Sequence, residues 1–158
     1  MFRSVDQVVA IVLAGGRGSR VRADVNKVYL PIRERDMLEY SLETMNRSPL
    51  VDRIVLVVRE EDRAVAENLI AETGPSKLHN VVIGGPTRHD SEHAGLEALA
   101  PAIESGEIGL VAIHDGARPF LTLTLLESVL VAAEGAGGAI PGLRIEEPLY
   151  RADETGVH

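Results

Sequence analysis

Residues 8–20 read VVAIVLAGGRGSR, and Lys27 follows seven positions after the last arginine. The first six of these residues are apolar and rich in valine, which predicts a buried strand that runs directly into a glycine-rich loop. Glycine lets the backbone approach a phosphate closely and turn its N–H groups toward it. The arginines and the lysine supply the charge that a triphosphate attracts. The stretch therefore predicts a nucleotide-phosphate site at the carboxyl end of the first strand.

The spacing of the glycines distinguishes this loop from two other phosphate loops. Dinucleotide-binding folds have Gly-x-Gly-x-x-Gly, whereas this loop has Gly-Gly-x-Gly from Gly15 to Gly18. No acidic residue closes a second strand at the distance expected for ribose binding. A Walker loop requires Gly-Lys followed by serine or threonine, and the loop has no such sequence. The spacing thus favours a third class of nucleotide site.

The composition is that of a single globular domain. The chain has 158 residues, of which 45% are hydrophobic, and no apolar run approaches the ~18–20 residues that span a bilayer. The first residues lack the apolar core and cleavage site of a signal peptide. The chain contains no cysteine, so it forms neither disulfides nor a thiolate zinc site. We therefore expect a soluble, cytoplasmic protein.

The charge distribution indicates a small anionic ligand. A net charge of −8 argues against an extended nucleic-acid surface. Residues 1–35 nevertheless hold seven of the 16 basic residues and only three acidic ones. One basic corner on an acidic protein suits a compact polyanion. The alternative is a basic loop that is simply solvated, and charge alone leaves it open.

Short apolar runs alternate with helical patterns along the chain. The runs are nearly continuous in hydrophobicity, which favours parallel strands covered on both faces. The predicted strands are residues 8–13, 53–58, 80–83, 109–113 and 138–140. The predicted helices are residues 37–46, 61–72, 91–100 and 125–134, with capping-box spacing at Asp36 and Glu39 and at Thr124 and Glu127. This order predicts a doubly wound α/β domain that binds ligands beyond the carboxyl ends of its strands.

Two further loops follow strands on the same side of the predicted sheet. Residues 84–91 read GGPTRHDS, and paired glycines before a helix can hold a base edge, with Ser91 as a donor. Residues 114–119 read HDGARP, and Asp115 at a strand end beside phosphates is a suitable Mg²⁺ ligand. The alternatives are a tight turn at Gly84-Gly85 and an ion pair between Asp115 and Arg118. His114 is expected to pack and to orient its loop.

These three motifs in order resemble the cytidylyltransferases that make CDP-alcohols, whose members include 2-C-methyl-D-erythritol 4-phosphate cytidylyltransferase and ribitol 5-phosphate cytidylyltransferase. The similarity runs from about residue 8 to residue 141. It implies a Rossmann-like nucleotidyltransferase fold with a mostly parallel sheet, usually in a homodimer. It also implies transfer of CMP from CTP to a sugar-alcohol phosphate, with release of pyrophosphate and with Mg²⁺ as cofactor.

The resemblance assigns a role to each matching residue. It implies that Arg20 and Lys27 stabilise the α-phosphorus and the leaving pyrophosphate, and that Arg118 lies toward the acceptor. It further implies that Asp115 binds Mg²⁺ and the ribose side. The remaining CTP-binding residues by this resemblance are Ala14, Gly15, Gly16, Gly18, Gly85, Arg88, Ser91 and Gly116.

The chain also departs from the family pattern. Members usually have Pro-Lys-Gln where this chain has Asn26-Lys27-Val28. Where they have Asp-Thr-x-Lys near the acceptor phosphate, this chain has Glu147-Pro148-Leu149-Tyr150. We therefore expect a nucleotide-binding domain over residues 1–143 and an incomplete substrate and dimerisation arm over residues 144–158.

Three hypotheses about function follow. The first is an active cytidylyltransferase of isoprenoid precursor synthesis that uses methylerythritol phosphate, with ribitol 5-phosphate as the alternative acceptor. The second is a diverged paralogue that binds a nucleotide without turnover. The third, a nucleotidyltransferase for another nucleoside triphosphate, has the last two motifs against it.

Overall fold

The computed structural model describes residues 6–16 and 26–144, together with the backbone of residues 152–153 and 156–157. Within these ranges, four parallel strands form a sheet in the order β5-β4-β1-β6. The strands are β1 (Gln7–Leu13), β4 (Arg53–Val58), β5 (Leu78–Ile83) and β6 (Ile108–Asp115). Two short antiparallel pairs, β2 (Pro31–Ile32) with β3 (Arg35–Asp36) and β7 (Ala152–Asp153) with β8 (Gly156–Val157), lie outside this sheet.

Five helices accompany the strands within the described ranges. They are α1 (Met37–Arg47), α2 (Arg63–Thr73), α3 (Arg88–Glu97), α4 (Ala100–Glu104) and α5 (Leu123–Ala136). The predicted capping box starts α1, where the Asp36 N–H donates to Glu39 Oε1 at 2.9 Å. None of the described helices is long and apolar enough to cross a membrane.

The buried strands separate two hydrophobic layers, as expected for a sheet covered on both faces. Alternate residues of β1 point to opposite sides, because side chains along a strand alternate between faces. Val8, Ala10 and Val12 pack with the buried residues of α1, α2 and α5. Val9, Ile11 and Leu13 pack instead with Leu96 of α3 and with Leu99 between α3 and α4. The prediction of a mostly parallel α/β sheet with helices on both faces is confirmed.

The predicted strand at residues 138–140 is wrong. Residues 138–144 have no regular secondary structure. Gly137, at φ +81°, ends α5 in the left-handed conformation, and Pro141 has no N–H to donate to a neighbouring strand. Ile140 is 91% exposed, so its hydrophobicity does not reflect burial in a sheet.

Two helices begin earlier than predicted. Thr122 rather than Thr124 caps α5, because its side chain accepts a hydrogen bond from the Leu125 N–H at 3.2 Å. Thr87 caps α3, which therefore starts at Arg88 rather than at Ser91.

The strand order creates a crevice beside β1. The chain proceeds from β1 to β4 and β5 on one side and then returns to β6 on the other side of β1. Ligands of such sheets bind beyond the carboxyl ends of the strands where the order reverses. The residues that follow β1 and β6 are therefore placed at the expected binding position. The predicted boundary at residue 143 stays a prediction, since residues 145–151 lie outside the described residues.

Candidate nucleotide site

The carboxyl ends of all four strands are joined by backbone hydrogen bonds just beyond the sheet. The Ala14 N–H donates to the Val57 carbonyl at 2.7 Å, and the Gly84 N–H donates to the Val58 carbonyl at 2.8 Å. The Gly116 N–H donates to the Leu13 carbonyl at 2.8 Å. These bonds bring the three loops selected from the sequence to one edge.

A cavity of about 720 Å³ opens at this edge. Most of the predicted site residues in the described ranges line it, namely Gly15, Gly16, Lys27, Arg88, Ser91, Asp115 and Arg118. Leu13, Val28, Pro86, Thr87 and Ala117 complete its lining. Ala14 is fully buried, and Gly85 and Gly116 stand next to lining residues without being part of the wall. Gly18 and Arg20 lie outside the described residues.

The glycines after β5 and β6 are required by close packing. A Cβ atom on Gly84 would lie 2.6 Å from Ser91 Oγ, and one on Gly85 would collide with the Cβ of Asp90. A Cβ on Gly116 would lie 3.0 Å from the Leu13 carbonyl oxygen. Glycine at 84 and 85 therefore lets the loop after β5 pack closely against α3, and glycine at 116 lets the loop after β6 pack closely against β1.

Ser91 stabilises the turn that precedes α3. Its hydroxyl is buried and reaches the Thr87 carbonyl at 3.0 Å and the Gly85 carbonyl at 3.3 Å. The alternative of a tight turn at Gly84-Gly85 stays open, while Ser91 ties the segment after these glycines to the start of α3. A role of Ser91 toward a base stays a prediction.

Asp115 lies between two arginines at the mouth of the cavity. Arg118 Nε donates to Asp115 Oδ2 at 2.8 Å, and Arg88 donates to Oδ1 through Nε at 3.2 Å and through Nη2 at 3.1 Å. Burial alone would raise the pKa of Asp115, but the hydrogen bonds from Arg118 and Arg88 outweigh it and hold the pKa below its usual value. Both arginine side chains are largely exposed. We call these three residues the rim triad.

The donor set suits Mg²⁺ only together with ligand oxygens. No cluster of three His, Cys, Asp or Glu side chains that could hold a metal ion by itself occurs in the described part of the chain. Among the described cavity-lining residues, Asp115 alone carries a carboxylate. Mg²⁺ commonly binds through one or two carboxylates plus substrate phosphates and water, so this arrangement fits an ion that arrives with a triphosphate.

His114 orients the loop after β6, as expected from the sequence. Its Nε2 atom lies 3.3 Å from Ser41 Oγ, and the Ser41 hydroxyl donates to the Gly116 carbonyl at 3.1 Å. Burial lowers the pKa of His114, because desolvation disfavours the imidazolium. The imidazole therefore belongs to the support of this loop.

The residues that support Lys27 were missed at the sequence level. Asn26 was noted only as a departure from Pro, and Arg59 and Asp62 were not singled out. In the structure, Asn26 donates to Asp62, which is paired with Arg59. The only local signal was an Arg-x-x-Asp spacing directly after β4, and nothing in the sequence connected it to Asn26.

Comparison with known proteins agrees with this arrangement. The family model for 2-C-methyl-D-erythritol 4-phosphate cytidylyltransferase matches residues 8–158. The chain belongs to this family. It is 38% identical over 144 residues to the family enzyme of Geobacillus kaustophilus, an alignment that covers 91% of this chain and 60% of the relative. It is 34% identical over 148 residues to that of Clostridium acetobutylicum, covering 93% of this chain and 62% of the relative.

A solved structure has the same fold. The crystal structure of a 4-diphosphocytidyl-2C-methyl-D-erythritol synthase superposes with a TM-score of 0.73 at 24% identity, covering 96% of this chain and 66% of that one. The chain thus spans about 60% of the length of the curated relatives it matches.

Proposed function

We propose that the chain transfers CMP from CTP to 2-C-methyl-D-erythritol 4-phosphate and releases pyrophosphate, a step in the formation of isoprenoid precursors. The observation that carries this proposal is the cavity at the end of β1 and β6, which is lined both by Lys27 with the glycines of the first loop and by Arg88, Asp115 and Arg118. The names of the family relatives support the choice of CTP and methylerythritol phosphate. Ribitol 5-phosphate is the less favoured acceptor.

The proposed reaction needs positioning and charge more than covalent help. A phosphate oxygen of the acceptor attacks the α-phosphorus of CTP and forms the new P–O bond, while the bond from the α-phosphorus to the bridging oxygen of pyrophosphate breaks. The nucleophile is already an anion, so no general base is required. Lys27 and Arg20 neutralise the charge that develops on the phosphoryl oxygens and on the leaving group.

The nucleotide would be held by the three loops at the sheet edge. In this proposal, the N–H groups of Gly15, Gly16 and Gly18 face the triphosphate, next to Ala14. The turn with Gly85, together with Arg88 and Ser91, encloses the cytosine. The Asp115-Gly116 corner lies toward the ribose. The support is that Gly84 N–H and Gly116 N–H are tied to neighbouring strand ends, which fixes these turns beside the first loop.

Mg²⁺ is proposed to enter with the triphosphate and to be held by Asp115. When bound, the ion neutralises phosphate charge and orients the leaving group. The two arginines of the rim triad already have Asp115 as a partner. Phosphate groups would give both arginines an alternative partner, and the Asp115 oxygens would then become available.

We further propose that the protein acts in the cytoplasm as a homodimer. CTP is a cytoplasmic metabolite, which supports the location. Exposed apolar side chains beyond β6 support self-association, since Phe120 and Leu143 are among the most exposed large hydrophobic residues. The mass in solution, measured by light scattering, tests the dimer.

The experiment that tests the function is a panel of nucleotides and acceptors. CTP, UTP and GTP are each incubated with Mg²⁺ and either methylerythritol phosphate or ribitol 5-phosphate. Released pyrophosphate is quantified, and the diphosphate product is identified by ³¹P NMR. We expect release only with CTP, with a clear preference for methylerythritol phosphate. CTP binding without release from either acceptor would overturn the proposal and establish a nucleotide-binding paralogue.

A further inference from the structure

The side chain of Asn26 joins the two ends of the first loop. Asn26 is 3% exposed, and its Nδ2 atom donates to the Ala14 carbonyl at 2.7 Å. Ala14 directly follows β1, and Asn26 directly precedes Lys27. The side-chain amide of Asn26 therefore ties the residue that follows β1 to the residue that precedes Lys27.

The same amide is anchored to a partly buried ion pair. Asn26 Nδ2 also donates to Asp62 Oδ2 at 2.8 Å, and Asp62 is 8% exposed. Arg59 grips both carboxylate oxygens, with Nε at 2.7 Å from Oδ2 and Nη2 at 2.9 Å from Oδ1. A bidentate pair of this kind fixes both distance and orientation. Because Arg59 directly follows β4, the anchor connects Asn26 to the sheet.

Asn26 also determines the backbone at Lys27. Its Oδ1 atom accepts from the Val28 N–H at 3.4 Å, and its carbonyl accepts from the Tyr29 N–H at 3.0 Å. These bonds start the short 3₁₀ helix Lys27–Tyr29, which is one turn long. Val28 and Tyr29 are buried. Lys27 thus projects from a turn whose cap and whose following residues are both fixed.

We propose that the Asn26–Asp62–Arg59 chain of hydrogen bonds is the positioning device for Lys27. The proposal rests on the proposed function in so far as Lys27 acts on the phosphates. The three residues act through Lys27 and the first loop rather than on the nucleotide. The arrangement combines three features: a buried asparagine, a buried carboxylate and an arginine that binds that carboxylate through two hydrogen bonds.

The backbone of Asn26 offers a sharp test. Its φ is −60° and its ψ is 129°, values that proline adopts without strain. Asn26→Ala removes the amide and leaves the backbone free, whereas Asn26→Pro removes the amide and locks φ. Asn46→Ala is the matched control, because Asn46 Oδ1 accepts from the Lys77 N–H at 3.0 Å outside the cavity lining.

Two readouts separate positioning from general stability. We expect Asn26→Ala to lower kcat about tenfold or more with little change in the KM for CTP, since small misplacement of a charge-stabilising group is costly. Asn26→Pro should recover part of that loss by fixing φ, and Asn46→Ala should keep the wild-type kcat, with the Tm of each variant measured alongside. Equal kcat for Asn26→Ala and Asn46→Ala would overturn the proposal.

Amide hydrogen exchange gives a result that does not depend on turnover. In Asn26→Ala, the Tyr29 and Leu30 amides should exchange about tenfold faster or more than in wild type, while the amides of β1 stay protected. In Asn26→Pro their protection should largely return. Unchanged exchange in Asn26→Ala would overturn the positioning role. A wild-type chain that releases no pyrophosphate would count against the proposed function, and the exchange result would still decide the role of Asn26.

Discussion

The two sides of the cavity are built differently. On the β1 side, Lys27 directly follows Asn26, whose buried amide donates hydrogen bonds to the Ala14 carbonyl and to Asp62. At the cavity mouth, Arg118 after β6 and Arg88 at the start of α3 are more than 60% exposed, and both hold Asp115. Buried polar groups lose much free energy when a partner is removed, whereas exposed ion pairs exchange partners readily. The buried side therefore fixes a charge in place, and the rim triad can transfer its arginines to an arriving anion.

The largest expected effect on kcat comes from replacing a basic residue on the β1 side of the cavity. Lys27→Ala should reduce kcat by about 10²–10³, because it removes ~3–4 kcal/mol of transition-state charge stabilisation. Arg20→Ala should behave similarly. Steady-state pyrophosphate release measures the loss, and Lys77→Ala, the other lysine of the chain, is the control. A near-normal rate for Lys27→Ala would refute the assignment of this side to the phosphates.

The rim should affect binding more than rate. Arg118→Ala removes one exposed partner of Asp115 and one cation toward the acceptor, so we expect the KM for methylerythritol phosphate to rise about tenfold at nearly constant kcat. Arg47→Ala, an exposed arginine on α1, is the control. If kcat fell as far as in Lys27→Ala, the two sides would not differ in function.

Replacing Asp115 tests whether its carboxylate is a metal ligand or only the partner of a structural ion pair. Asp115→Asn keeps the shape of the side chain but removes the charge, and we expect the Mg²⁺ concentration for half-maximal rate to rise several-fold, roughly in line with the loss of one carboxylate ligand. Glu97→Gln, an exposed carboxylate on α3, should leave that concentration unchanged. An identical Mg²⁺ titration for wild type and Asp115→Asn would leave only the ion pair.

The smallest expected effect is on the pH dependence of stability, and it comes from His114, which supports the loop that carries Asp115. Burial lowers the pKa of His114 below its usual 6.5, so the unfolded chain binds more protons than the folded one as the pH falls below this value. The free energy of unfolding should therefore decrease from pH 7 toward the folded pKa. In His114→Gln the slope should be shallower, by at most ~1.4 kcal/mol per pH unit. Urea melts across this range provide the measurement, with the exposed His93→Gln as control; an unchanged slope would contradict the burial effect.

The sequence predicted the β1 side and the rim unequally well. The strand before Ala14 and the motif around Asp115 can each be identified from a short local pattern. The loops that follow β1 and β6 both lie at the carboxyl ends of the strands, as predicted. The ion pair of Asp115 with Arg118 was foreseen as an alternative because a three-residue spacing permits it. The third member, Arg88, comes from another loop, and its contact with Asp115 required the sheet order.

The support of Lys27 was not predictable from local patterns. Asn26, Arg59 and Asp62 come from two separate segments, and only the parallel pairing of β1 with β4 brings them together. The wrong strand at residues 138–140 has the opposite cause. Its short apolar run was counted as a strand, although Pro141 cannot donate to a sheet and nothing covers Ile140 in the described part of the chain.

The most direct test of the proposed division between the two sides is a double-mutant cycle on kcat/KM for methylerythritol phosphate. Wild type, Lys27→Ala, Arg118→Ala and the double variant are compared in one pyrophosphate-release assay. If Lys27 fixes charge on the transition state and Arg118 binds the acceptor independently, the two free-energy losses should add within about 0.5 kcal/mol. A double variant no slower than Lys27→Ala would mean that both sides act as one unit, and it would contradict the division of roles.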